Sequence, residues 1–133
     1  MNRRRAAIIL VSLVATFIVV RVSLSMSPDS DFNVMGYNVH HLFTGLILIT
    51  VGGIPLALFP RDSRILDAMA ALFGAGLSLA LDEWVYLIVT DGTNASYLLP
   101  VSLKGGTIMV VLAAAYVAIL YILSKDKQPP SNP

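Results

Sequence analysis

The chain has 133 residues, 56% of them hydrophobic and 13% charged, with a mean hydropathy of +0.78 and a formal net charge of +1. Soluble domains carry about 25% charged residues, so the polar surface of a water-soluble fold is missing; the length allows one compact unit. The small net charge, with no Lys/Arg stripe interleaved with aromatics, argues against nucleic acid as a partner, and the lack of cysteine removes disulfides, thiolate metal sites and thiol nucleophiles.

Four apolar stretches reach the roughly 20 residues a helix needs to cross a hydrocarbon core: Ala6–Met26, Val39–Phe59, Ile65–Val89 and Val101–Leu123. Alternating polarity is too scarce for a barrel, and helices satisfy their own backbone in lipid. The expected fold is therefore all-α: a bundle of four transmembrane helices forming a single domain over residues 1–124. A polar, proline-rich tail at 125–133 reads as disordered. No internal repeat is visible.

The first stretch has a rival reading. Arg3-Arg4-Arg5, an apolar run and Ser23-Leu24-Ser25 resemble a signal peptide with a small-residue cleavage site. Signal peptides use an apolar core of about 7–15 residues. Ala6–Val20 is long for that role, and Arg21 interrupts the approach to the site, so a retained span is the preferred expectation.

Between the first two stretches, Ser27–Asn38 reads as a loop. The second opens with His40-His41 after Tyr37 or Asn38, so both histidines stand at the positive end of a helix, where neutral imidazole is favoured. His41, Gly45, Leu48 and Gly52 share one face, and Gly52-Gly53-Ile54-Pro55 predicts a kink. The turn Pro60–Arg64 follows. In the third stretch Asp67 complements the dipole of the first turn. A stripe of small residues (Ala71, Ala75, Ser78) leads to Asp82 at helical spacing, which predicts close helix approach and an inward-facing carboxylate. Glu83 is turned by about 100° toward a different neighbour. Thr90–Pro100 reads as loop; it includes Asn94-Ala95-Ser96, which fits a glycosylation sequon common by chance. Trp84, Tyr86 and Tyr97 read as one aromatic belt and Phe59 as the other.

Seven of the nine Lys/Arg residues (Arg3, Arg4, Arg5, Arg61, Arg64, Lys125 and Lys127) fall on one side, and the opposite loops carry Asp29, Asp31 and Asp91. The positive-inside rule then places both termini and the Pro60–Arg64 turn in the cytoplasm, in a plasma (inner) membrane.

The two central motifs match in depth. Asp82-Glu83 lie roughly 20 residues beyond the fold point near Asp62-Ser63, and His40-His41 roughly 22 before it, a difference of about 5 Å at most at 1.5 Å per residue. Arg21 stands 16 residues past Arg5 and Lys104 four past Pro100, so both belong to the same outer half. The expected polar cluster is Arg21, His40, His41, Asp82, Glu83 and Lys104.

Three readings of that layer stay open. In the first, the groups form a structural network or bind a ligand or ion in a non-enzymatic membrane component. In the second, His40, His41, Asp82 and Glu83 hold a divalent metal such as zinc, iron or manganese for an enzyme at the outer face. The spacing lacks HExxH, and neighbouring histidines diverge on a helix. In the third, carboxylates and histidines move protons or ions, although no ionisable chain continues into the inner half. No GxSxG elbow, P-loop or dinucleotide fingerprint is present. The partners expected are the lipid bilayer and a second copy of the chain or another membrane protein.

With His40-His41-Leu42-Phe43-Thr44-Gly45 and Leu81-Asp82-Glu83-Trp84 in view, the chain resembles a group of small prokaryotic integral membrane proteins. These share an HHxxxG opening on one span and an LDE-aromatic motif after small residues on the next. The similarity covers Tyr37 to Tyr86. It implies that the two motifs go together and brings no catalytic residues with it.

Overall fold

The computed structural model describes residues 3–26, 33–34, 37–38, 40–59 and 63–123. The 125–133 tail, Arg61 and the two acidic residues Asp29 and Asp31 lie outside them. Four long helices dominate: α1 (Arg3–Met26), α2 (His41–Leu58), α3 (Arg64–Val89) and α5 (Pro100–Leu123), each long and apolar enough to cross a membrane. The fold is all-α, and every span boundary lies within three residues of the hydropathy boundary. Two differences arise in the connections. The loop before α2 carries a two-residue antiparallel pair, β1 (Asn33–Val34) and β2 (Tyr37–Asn38), with Asn33 opposite Asn38. Asn94–Tyr97 forms a helical turn, α4, where a plain loop was expected.

Helix α3 is the hub. It packs against α1, α2 and α5, and α1 also meets α5. In its apolar span 44% of residues are buried, against 11% or fewer in the other three, whose large apolar side chains face outward as lipid requires. Ser63 starts α3 by accepting a hydrogen bond from Leu66 N at 3.2 Å, an N-cap of the preferred kind. Proline at the head of α5 suits a first turn that needs no N–H.

Glycine sets the α2–α3 spacing. A Cβ on Gly45 would stand 2.6 Å from the carbonyl oxygen of Gly76, and one on Gly76 2.6 Å from that of Gly45. Such contact is closer than any side chain allows, so the backbones touch, which is how small residues bring spans together without a hydrophobic driving force. Gly52 sits likewise against Met69 and Phe73, and the Cβ of Leu48 lies over Gly76. The face His41, Gly45, Leu48 and Gly52 is thus the α3-facing side of α2. Along α3, Ser78 and Asp82 are buried and Ala71 and Ala75 only partly so. Gly74, Gly76, Ala70 and Ala80 make much of the close contact instead.

Two charged rungs fix α1 alongside α3. Near the basic end, Arg4 Nη2 stands 2.7 Å from Asp67 Oδ2 and Arg5 Nε 3.7 Å from Asp67 Oδ1. Near the histidine end, Arg21 pairs with Asp82. The rungs lie 16 residues apart on α1 and 15 on α3, or about 23 Å of parallel helix at 1.5 Å per residue. Asp67 does more than meet the dipole of its first turn: it ties α3 to α1.

Candidate functional site

The polar cluster is built around two adjacent carboxylates near the C-terminal end of α3. Asp82 is 1% exposed and Glu83 3%. Burial of this kind is tolerated only where each charge finds partners, and both do, on different helices because consecutive positions diverge around the helix.

Asp82 Oδ1 receives the Arg21 guanidinium, with Nε at 2.7 Å and Nη2 at 2.5 Å. The rest of the fork is used as well. Nη2 donates to the carbonyl of Ser102 at 3.1 Å and reaches its hydroxyl at 3.2 Å, Nη1 donates to the carbonyl of Tyr97 at 3.4 Å, and the plane lies 4.3 Å from the centre of the Tyr97 ring. One arginine therefore joins α1 to α3, α4 and α5, a task suited to its rigid planar array of donors. A Cβ on Gly106 would meet Asp82 Oδ1 at 2.5 Å, so α5 can approach this pair only with glycine there.

Asp82 Oδ2 accepts the Tyr97 hydroxyl and faces His41 Nε2 at 3.2 Å. Glu83 turns to α2. Its Oε1 lies 3.2 Å from both His40 Nδ1 and His41 Nδ1, and its Oε2 accepts the backbone N–H of Leu42 at 2.7 Å. Helix α2 begins at His41, with His40 rather than Tyr37 or Asn38 as the capping residue, and the His40 side chain makes no cap hydrogen bond. Glu83 supplies the missing acceptor from the neighbouring helix and places a negative charge at the positive helix end.

Both ring nitrogens of His41 therefore face carboxylate oxygens. Neutral imidazole has one N–H; only the imidazolium donates from both positions. Both histidine side chains remain 22% exposed.

The connection after α3 is shaped to deliver Tyr97. Gly92 adopts φ +73°, the left-handed region open to glycine. Asp91 Oδ1 accepts from Thr93 N at 3.2 Å, from the Thr93 hydroxyl at 2.9 Å and from the Ser96 hydroxyl. These bonds, that from Ser96 foremost, hold the Asp91 carboxyl below its usual range. The Tyr86 hydroxyl donates to the carbonyl of Thr93 at 2.8 Å. Tyr97 then drops inward, its ring edge-on to those of Tyr86 (5.3 Å) and His41 (5.4 Å). Burial and the neighbouring Asp82 push its phenol well above the ordinary tyrosine value.

Of the residues expected in this layer, Arg21, His40, His41, Asp82 and Glu83 come together. Lys104 does not: it is exposed, and no carboxylate among the described residues lies within ion-pair distance of it. One turn into α5 its side chain falls on the outward side, while Ser102 faces in. The aromatic belt also divides. Trp84 is exposed, but Tyr86 and Tyr97 are buried in the cluster. Tyr97, Ser102 and the Leu42 N–H were missed, because a loop residue, a serine and a backbone amide carry no charge pattern in sequence.

The donor set does not suit a metal. Among the described residues no group of three or more His, Cys, Asp or Glu side chains is arranged to hold one. The physical reason is visible: imidazole nitrogens and carboxylate oxygens point at each other, and the remaining oxygens are taken by Arg21, Tyr97 and Leu42 N. No family model matches the chain, and neither a curated protein nor a solved structure does.

Proposed function

We propose that this chain is a non-enzymatic component of the plasma (inner) membrane, with both termini cytoplasmic, whose histidine-end cluster is a polar clamp. One observation carries the reading: each oxygen of Asp82 and Glu83 has a polar partner within hydrogen-bonding or ion-pair distance, and these partners come from α1, α2 and α4. A network saturated by its own members favours holding helices in register over turning over a substrate. The placement of Arg3, Arg4, Arg5 and Arg64 at the opposite end supports the orientation.

Ligand or ion binding at the same place is the second reading, favoured by the partial opening of His40 and His41. Here a small anion or a proton would be exchanged at the imidazoles while Arg21 and Asp82 stay paired.

A double-mutant cycle tests the clamp. Arg21→Met and Asp82→Leu are each expected to cost about 3–5 kcal/mol, since each strands a buried charge. The double variant should cost far less than their sum, read by reversible unfolding in mixed micelles. Additive single losses would remove the clamp. Because the chain has no cysteine, single cysteines at Arg64 and Asp91 read the orientation by labelling from each side of sealed vesicles, with Asp91→Cys reacting from outside.

A further inference from the structure

A second feature lies at the other end of the bundle and does not depend on the histidine-end cluster. Between α1 and α3, toward the basic end, a groove of about 440 Å³ is walled by Ala7, Ile8, Val11 and Ser12 of α1 and by Ala71 of α3, with Arg4 on its N-terminal side. Small side chains make the room. Ser12 adds little polarity, because its hydroxyl donates back to the carbonyl of Ile9 at 3.1 Å.

The charges beside the groove are unbalanced. Arg3, Arg4, Arg5 and Arg64 lie at this end of the bundle, Arg4 lines the groove, and Asp67 is the acidic residue among the described ones at that end. Asp67 takes one nitrogen of Arg4, whose side chain is still 68% exposed; a guanidinium has five N–H donors. Arg3 lies over the ring of Tyr121, with its central carbon 4.4 Å from the ring centroid. Apolar walls with a largely exposed arginine at one end match one kind of molecule, an amphiphile with an anionic head.

We propose that the groove binds an anionic phospholipid, with one acyl chain lying along Ala7, Val11 and Ala71 and the phosphate held by Arg4. Basic recesses between spans are recognised in general as seats for anionic headgroups. The apolar walls select a lipid over free phosphate, and the exposed Arg4 guanidinium selects an anionic head over a zwitterionic one.

Native mass spectrometry of the delipidated full-length chain in detergent tests this, with phosphatidylglycerol or phosphatidylcholine of the same acyl chains added. Wild type should retain one phosphatidylglycerol, roughly fivefold more than phosphatidylcholine, and inorganic phosphate should not displace it. Ala71→Leu and Ala7→Leu fill the groove from opposite walls without touching a charge, and each should lose the retained lipid. Arg4→Gln should bind both lipids equally, and Val111→Leu on the exposed face of α5 should behave as wild type. Ala7 is exposed, so Ala7→Leu keeps the fold even where Ala71→Leu disturbs it, and unchanged helicity by circular dichroism qualifies each variant. Wild-type retention in a folded Ala7→Leu variant, or equal retention of the two lipids by wild type, overturns the proposal.

Discussion

The two ends of the bundle use the same pair of residue types for the same connection, an arginine of α1 with an aspartate of α3, yet they are built differently. At the histidine end Arg21 spends its fork on Asp82, Ser102 and the carbonyl of Tyr97 and stacks on an aromatic ring. At the basic end Arg4 is mostly exposed, and neither oxygen of Asp67 accepts a hydrogen bond of good geometry among the described residues, so charge alone joins them. An ion pair takes its strength from what surrounds it. Closed in by donors it becomes a fixed joint, and left open it is a screened attraction.

Several substitutions sharpen this contrast. The largest effect is expected from Arg21→Lys, which keeps the charge and loses the fork. It should cost about 3 kcal/mol or more, because the buried Asp82 and the Ser102 and Tyr97 carbonyls lose their donors. Arg4→Lys should stay within about 0.5 kcal/mol. Equal losses in reversible unfolding would erase the distinction between the ends.

Next comes Tyr97→Phe, which removes the hydroxyl from Asp82 and should cost about 1.5–3 kcal/mol at neutral pH, the range for a hydrogen bond to a charged group. Its pH dependence has a definite sign. Tyr97 in the folded chain holds its proton above the ordinary tyrosine value, so its contribution is fully present below about pH 10, the unfolded value, and is lost as pH rises beyond it. Above about pH 10 the melting temperature of wild type should fall more steeply than that of Tyr97→Phe. Parallel curves would mean that the phenol is not enclosed.

A smaller effect than that of Tyr97→Phe is expected from Asp67→Asn, about 1 kcal/mol or less and reduced further by salt, since Arg4, its nearer partner, is 68% exposed. A loss as large as that of Arg21→Lys would show the basic end to be as tightly joined as the other.

Much of the architecture is legible in the sequence because hydrocarbon imposes one simple rule, length of apolar helix, and the spans obey it to within three residues. The meeting of His40 and His41 with Asp82 and Glu83 follows from the same arithmetic, since hairpin partners equidistant from their turn share a depth. Direction around the helix is harder. Lys104 and Ser102 are two residues apart, and only packing decides that the serine faces in. Tyr97 was hidden for another reason: it reaches the cluster by way of Gly92, Asp91 and the α4 turn, a path that no periodicity describes. The buried tyrosines looked like interfacial ones because depth was readable and rotation was not.

The bond from Leu42 N to Glu83 spans 41 positions of chain. Helix α2 is thus finished by a group that is synthesised well after it, and its opening turn stays incomplete until α3 has entered the bilayer beside it. Such an arrangement makes the hairpin, not the single helix, the smallest unit that can settle in the membrane.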